Sequence, residues 1–218
     1  MNKYNQLLFD LDGTLTDPSE GITKCIAYAL QHFGIETPDL TALQSWIGPP
    51  IKQSLMGIHH FDEAKADLGV EKYRERFAET GIYENRLFDG IPELLESLKN
   101  QGYKLYLATS KPTVFAERIL RHFDIEQYFD FIGGSCLDDS RPTKAHVIGH
   151  VIDETGMIHT DKALMIGDRK YDILGGKAFA MDTLGVLYGF GTKSELEQAG
   201  ARYIISSITE LSFFLLNR

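Results

Sequence analysis

Leu7-Leu8-Phe9-Asp10-Leu11-Asp12-Gly13-Thr14 reads as a short buried strand that runs into an acidic, glycine-containing turn. From about Ser19 to about Asn85 no strand pattern follows. Ile22, Ile26, Ala29, Leu30 and Phe33 fall at helical spacing, and Leu68, Tyr73 and Phe77 form a second stripe. Gly48-Pro49-Pro50 breaks this helical block in its middle. After Gly90 the texture changes to alternation. A helix is predicted from Pro92 to Gly102, a strand over Lys104-Leu105-Tyr106-Leu107-Ala108-Thr109, a helix from Val114 to Phe123 and a strand from Phe129 to Ile132. Helices from Lys144 to Glu154 and Tyr171 to Phe179 flank a strand at Ala163-Leu164-Met165-Ile166. Strands near Thr183 to Leu187 and Tyr203 to Ile205 precede a closing helix from about Ser207.

Strand–helix alternation of this kind implies an α/β fold, a parallel sheet with helices on both faces. The first strand is expected in the same sheet, which makes residues 17–86 a helical insertion and 1–16 with 87–218 the core domain.

The chain has 218 residues, enough for such a core with a small accessory domain, and can bury roughly 70% of its unfolded surface. Its 22 basic and 31 acidic side chains give a net charge of −9, which argues against nucleic acid or an acidic membrane as partner. With Cys25 and Cys136 its only cysteines, neither a disulfide framework nor a cysteine zinc site is expected, and a reducing cytoplasm is the natural compartment. Met1-Asn2-Lys3-Tyr4-Asn5-Gln6 is too polar for a signal peptide, and no apolar run approaches a membrane span. The oligomeric state is left open.

In open α/β sheets the chemistry sits outside the carboxyl ends of the strands. Three strands end there in polar residues: at Asp10-Leu11-Asp12-Gly13-Thr14, at Thr109-Ser110-Lys111, and at Gly167-Asp168-Arg169-Lys170-Tyr171-Asp172. Lys144 stands at a predicted helix N-terminus. Carboxylates from two strand ends make an all-oxygen site suited to Mg²⁺ rather than zinc or copper. Asp10 and Asp12 taken alone are explained by turn and helix capping. Capping does not explain a second acidic strand end at Asp168 and Asp172. The Asp-x-Asp-Gly-Thr pattern arises by chance at roughly one in 10⁵ per window.

On these residues the sequence resembles the haloacid dehalogenase-like hydrolases that attack through an aspartate. It is most similar to the branch of phosphoglycolate phosphatases and 5′-nucleotidase-like phosphatases. The resemblance extends over nearly the whole chain, including the helical insertion and Tyr188-Gly189-Phe190-Gly191. It implies a Rossmann-like, doubly wound core with an α-helical cap, and Mg²⁺-dependent hydrolysis of a small phosphorylated metabolite through an aspartyl phosphate. Asp10 would be the nucleophile and Asp12 the general acid and base. Thr109 and Lys144 would bind the transferring phosphoryl group, with Gly13, Thr14 and Ser110 in its cradle. Asp168 would hold the metal with Asp10 and the backbone carbonyl of Asp12, and Asp172 would stand behind them or reach a metal-bound water.

The family's third motif is often Lys-Pro; here Arg141-Pro142-Thr143-Lys144 offers two cations, of which Lys144 is preferred. The second motif reads Thr-Ser-Lys where Thr-Asn-Lys is frequent. Rival readings are a phosphosugar mutase and a receiver-like signalling module with a phosphorylated aspartate. The cap would exclude bulk water and admit small esters, with Lys52 its candidate substrate contact. Tyr28, Phe33 and Trp46 are read as the core of the helical block, His59-His60 as surface, and His146 with His150 as lacking a third metal ligand. No phosphate-binding Gly-x-x-x-x-Gly-Lys loop is present, and the glycines near 189 lack dinucleotide-binding spacing, so neither ATP nor NAD is suggested.

Overall fold

The computed structural model describes residues 3–37, 39–138 and 140–217, so Met1 and Asn2 of the polar N-terminus lie outside the described residues. The chain divides into two compact units, Met1–Thr16 with Leu87–Arg218, and Asp17–Arg86.

The larger unit is built on β1 (Gln6–Phe9), which lies inside the sheet with a strand on either side and whose apolar residues are wholly buried on the two covered faces. Its neighbours are β4 (Lys104–Pro112) and β6 (Ala163–Gly167), both parallel to it. β5 (Phe131–Ser135) extends the sheet beyond β4, while β7 (Asp182–Val186) and β8 (Tyr203–Ile205) extend it beyond β6. The order is β5-β4-β1-β6-β7-β8, all parallel.

Helices α4 (Ile91–Asn100), α5 (Thr113–His122), α6 (Lys144–Thr155), α7 (Lys170–Lys177), α8 (Lys193–Ala199) and α9 (Ile208–Leu216) make the connections and close the chain. Side chains alternate across a strand. Leu8, Tyr106, Ala108 and Met165 accordingly form one core with Val147, Ile148 and Val151 of α6. Leu7, Phe9, Leu105, Leu107, Leu164 and Ile166, equally buried, face the opposite side. The predicted strands and helices of this unit are present within a few residues; α8 was not anticipated.

The smaller unit is helical: α1 (Ser19–His32), a 3-10 turn over Leu40–Trp46, α2 (Ile51–His59), α3 (Glu63–Arg76) and a π-helical turn over Phe77–Gly81. Pro50 caps the start of α2, so the Gly48-Pro49-Pro50 break is a helix boundary. The stripe expected through Leu68 is corrected. Leu68 is exposed, and α3 packs through Ala66, Gly69 and, past its end, Phe77. A Cβ on Gly69 would lie 2.6 Å from the Leu55 side chain, so the contact is made by an absent side chain that hydrophobic periodicity does not register. Trp46 is buried and Phe33 packs against Phe61, but Tyr28 is exposed with its hydroxyl donating to Glu75. Strands β2 (Thr16–Asp17) and β3 (Arg86–Leu87) pair where the chain passes between the units.

Candidate active site

Parallel registration explains why distant sequence segments meet. Phe9 lies opposite Leu107 on one side and Ile166 on the other. One residue further Asp10 is reached, its N–H donating to the carbonyl of Ile166 at 2.9 Å. Two residues past Leu107 and Ile166 come Thr109 and Asp168. The strand ends therefore deliver their polar residues to one edge of the sheet.

Asp10, Asp168 and Asp172 converge there, each offering a carboxylate oxygen within 4.8 Å of the others. All are buried, at 6%, 0% and 1% exposure. Gly167 makes room for Asp172, since a Cβ there would lie 2.2 Å from its carboxyl carbon. The second oxygen of Asp172 accepts from the N–H of Arg169 at 3.0 Å, closing the first turn of α7. Lys144, the first residue of α6, reaches the cluster: its Nζ stands 2.9 Å from Asp10 and 2.7 Å from Asp172, and donates to the carbonyl of Ala108 at 2.8 Å. Gly175 keeps α7 close enough to pack on the Lys144 stem, where a Cβ would come within 2.8 Å. Of the two cations in Arg141-Pro142-Thr143-Lys144, it is Lys144 that joins the carboxylates.

Asp12 pairs instead with Lys111, Nζ to Oδ2 at 2.8 Å, both largely buried. β4 runs past Thr109 to Pro112 with a break in its pairing to β5 between those residues. Thr109 and Lys111, two apart, thus both turn inward, and the Thr109 hydroxyl accepts from the N–H of Lys111. Lys111 is a site residue that the motif pattern does not single out; its signal in the sequence is its place two residues past a strand-end threonine. Gly13 adopts φ +81° in the turn after Asp12, and the hydroxyl of Thr14 is buried without a hydrogen-bond partner. Ser110 is half-buried. Lys52 lies in the helical unit, held by Asp67 at 2.6 Å and Glu63 at 3.3 Å. His146 contacts the Thr143 hydroxyl, and His150 lies 3.8 Å from Glu154.

The electrostatics are those of excess negative charge. Asp10, Asp168 and Asp172 face one ammonium, leaving two negative charges that one divalent cation would offset. Burial pushes Asp168 well above the ordinary carboxylate range, and the charges of Asp172 and Asp10 push it further. Burial raises Asp172 as well, with Lys144 opposing. Burial pulls the Lys144 ammonium down, but Asp10 and Asp172 together more than reverse this and hold it charged. Asp12 is raised by burial, and Lys111 pulls it back. The donor set is all oxygen, and one buried oxygen of Asp168 has no hydrogen-bond partner. Both features fit a hard cation such as Mg²⁺.

Residues 7–186 match the family model described as haloacid dehalogenase-like hydrolase. The chain is 52% identical over 194 residues to a 5′-nucleotidase of Pseudomonas aeruginosa, covering 89% of this chain and 87% of the relative. It is 36% identical to tyrosine-protein kinase PtkA of Mycobacterium tuberculosis, over 93% of this chain and 69% of the relative, and 30% identical to a phosphoglycolate phosphatase of Colwellia psychrerythraea over 94% of each. A crystal structure of a predicted phosphatase from Clostridium acetobutylicum superposes with a TM-score of 0.95 at 47% identity, covering 99% of both chains.

Proposed function

Since the chain belongs to the haloacid dehalogenase-like hydrolases and is a phosphatase, we propose that it hydrolyses small phosphomonoesters, nucleoside 5′-monophosphates or phosphoglycolate among them, in the cytoplasm. The observation that carries this reading is the buried trio Asp10, Asp168 and Asp172 with Lys144 in its midst, at the carboxyl ends of β1 and β6.

In the proposed reaction Asp10 attacks phosphorus while the ester P–O bond breaks, leaving an acyl phosphate on Asp10. Asp12, whose neutral form burial favours, gives its proton to the departing oxygen. It then takes a proton from a water that attacks the same phosphorus, which releases inorganic phosphate and restores both carboxyl groups. Lys144 balances charge on the phosphoryl oxygens. Thr109, Ser110, Thr14 and the backbone at Gly13 orient those oxygens. Asp10, Asp168 and the carbonyl of Asp12 would hold Mg²⁺, with Asp172 behind them; when bound, the cation supplies further neutralisation of phosphoryl charge. Residues 17–86 are the proposed cap, restricting the substrate to a small ester.

The test is phosphate release from p-nitrophenyl phosphate, 2-phosphoglycolate, nucleoside 5′-monophosphates and pyrophosphate, in Mg²⁺ or EDTA, beside Asp10→Asn. Release that requires the metal and vanishes in Asp10→Asn is expected. No release from any ester by folded protein, or equal release in EDTA, would overturn the proposal. A phospho-aspartate that persists without turnover would favour the signalling reading instead.

A further inference from the structure

The stretch Tyr188-Gly189-Phe190-Gly191 follows β7 and takes no part in the chemistry proposed above, yet it closes around Asp168. The N–H of Phe190 donates to Oδ2 of Asp168 at 2.7 Å, while Oδ1 of the same carboxylate stays buried without a partner. The phenol of Tyr188 donates to the carbonyl of Thr14 at 3.0 Å, tying the stretch to the turn that follows Asp10 and Asp12. Its ring lies edge-on against Phe88, 5.1 Å between centroids.

The two glycines are required by this approach. A Cβ at Gly189 would fall 2.3 Å from the carbonyl of Gly13 and 2.6 Å from Oδ2 of Asp168; one at Gly191 would fall 1.8 Å from the Asp168 carbonyl. On the facing side, a Cβ at Gly13 would lie 2.2 Å from Oδ2 of Asp168 and 2.9 Å from the Phe190 ring. Gly13 and Gly189 thus flank the Asp168 carboxylate, and Gly191 lies against the backbone carbonyl of the same residue.

We infer that Tyr188–Gly191 is a positioning loop for the cation site. Its Phe190 N–H occupies Oδ2 of the Asp168 carboxylate and leaves Oδ1 as the oxygen that would hold the ion, and Tyr188 holds the Asp10–Thr14 turn in register with it. Phe190 acts through its backbone N–H, which any residue but proline supplies, so the side chains that matter are the absent ones at 189 and 191 and the phenol at 188. The inference rests on the reading that Asp10 and Asp168 hold a divalent cation.

The probe is Mn²⁺, titrated into the full-length chain by isothermal calorimetry and by electron paramagnetic resonance of the free ion. Wild type is compared with Tyr188→Phe, Gly189→Ala and Asp168→Asn, with melting temperatures in EDTA alongside. Tyr188→Phe keeps the ring against Phe88 and loses one hydrogen bond. It is expected to weaken Mn²⁺ binding about 3- to 10-fold, the span of one such bond, while its metal-free melting temperature stays near wild type. Gly189→Ala is expected to weaken binding more than tenfold. A loop with a purely structural role would lower the metal-free melting temperature and leave Mn²⁺ affinity where it was, which would overturn the inference. If Gly189→Ala fails to fold, Tyr188→Phe decides alone. Failure of wild type to bind Mn²⁺, or binding undiminished by Asp168→Asn, would instead remove the cation reading on which the loop's role depends.

Discussion

Replacing Lys144 by methionine keeps a stem of similar length against Gly175 and removes the ammonium from between Asp10 and Asp172. At 2.9 and 2.7 Å, and an effective dielectric near 20, each attraction is about 6 kcal/mol before desolvation is counted. Most of that is cancelled by the cost of burying the charges, and breaking a buried pair from one side costs about 3–5 kcal/mol net. For a chain of this size a kilocalorie corresponds to about 2–4 °C in melting temperature. Lys144→Met is therefore expected to melt about 6–20 °C below wild type in EDTA. The carboxylates left behind repel one another, and Asp172, which burial already raises, takes up a proton as the pH falls. The deficit should accordingly shrink on acidification and on adding Mg²⁺. Phosphatase turnover in saturating Mg²⁺ should drop about 10²- to 10³-fold, the usual effect of losing one preorganised charge at the reacting group. Differential scanning calorimetry between pH 5 and 8, with and without Mg²⁺, reads the first effect and phosphate release the second. A metal-free melting temperature within about 2 °C of wild type, a loss of no more than about 1 kcal/mol on this scale, would refute the reasoning.

In wild-type protein, Asp168 and Asp172 hold protons more tightly folded than unfolded, so the stability they contribute is present at low pH and lost as pH rises above the ordinary carboxylate range. The melting temperature in EDTA should fall between pH 5 and 8, the Mg²⁺-induced rise should grow over the same interval, and Asp172→Asn should flatten both; a thermal-shift series checks this. Gly21→Ala is expected to destabilise the helical unit by about 1–3 kcal/mol, read by melting and limited proteolysis, because its Cβ would lie 2.1 Å from the carbonyl of Gly81. Asp12→Asn should accumulate phosphorylated Asp10 after mixing with p-nitrophenyl phosphate, whose leaving group needs little protonation, detected by mass spectrometry after acid quench, because the variant's amide cannot activate the water that attacks the acyl phosphate.

The core was legible because its strands are short apolar runs ended by polar residues, as at Phe9-Asp10 and Ile166-Gly167-Asp168. Parallel pairing in register then made sequence position a guide to spatial position. What escaped reading was carried by missing side chains or by backbone. Gly69 packs against Leu55 because it has no Cβ, so the face of α3 was misjudged through Leu68. Lys111 was passed over because β4 was expected to stop at Thr109, whereas it continues to Pro112 and buries the lysine against Asp12. The Tyr188–Gly191 contacts with Asp168 and Thr14 use the N–H of Phe190 and the carbonyl of Thr14, backbone groups that residue type does not announce, and only the Tyr188 phenol is a side-chain partner. Helix α8 has only Leu196 and Ala199 buried, too few apolar positions for a period to show.

The charge balance of the site also bears on the order in which ligands enter it. Asp10, Asp12, Asp168 and Asp172 face two ammonium groups, Lys111 and Lys144, each already paired to a carboxylate. Fully ionised, the group carries two negative charges, on a chain whose net charge is −9. A phosphomonoester dianion approaching it is repelled locally and at a distance. Protonation of Asp168 and Asp172 is one answer to that excess, and burial has raised both toward it. A divalent cation is the other, and it brings the group to neutrality without using a proton. The two answers compete for the same oxygens. Near neutral pH the cation should therefore bind first and the anion follow, so that inorganic phosphate binds measurably to the Mg²⁺-loaded protein and hardly at all in EDTA.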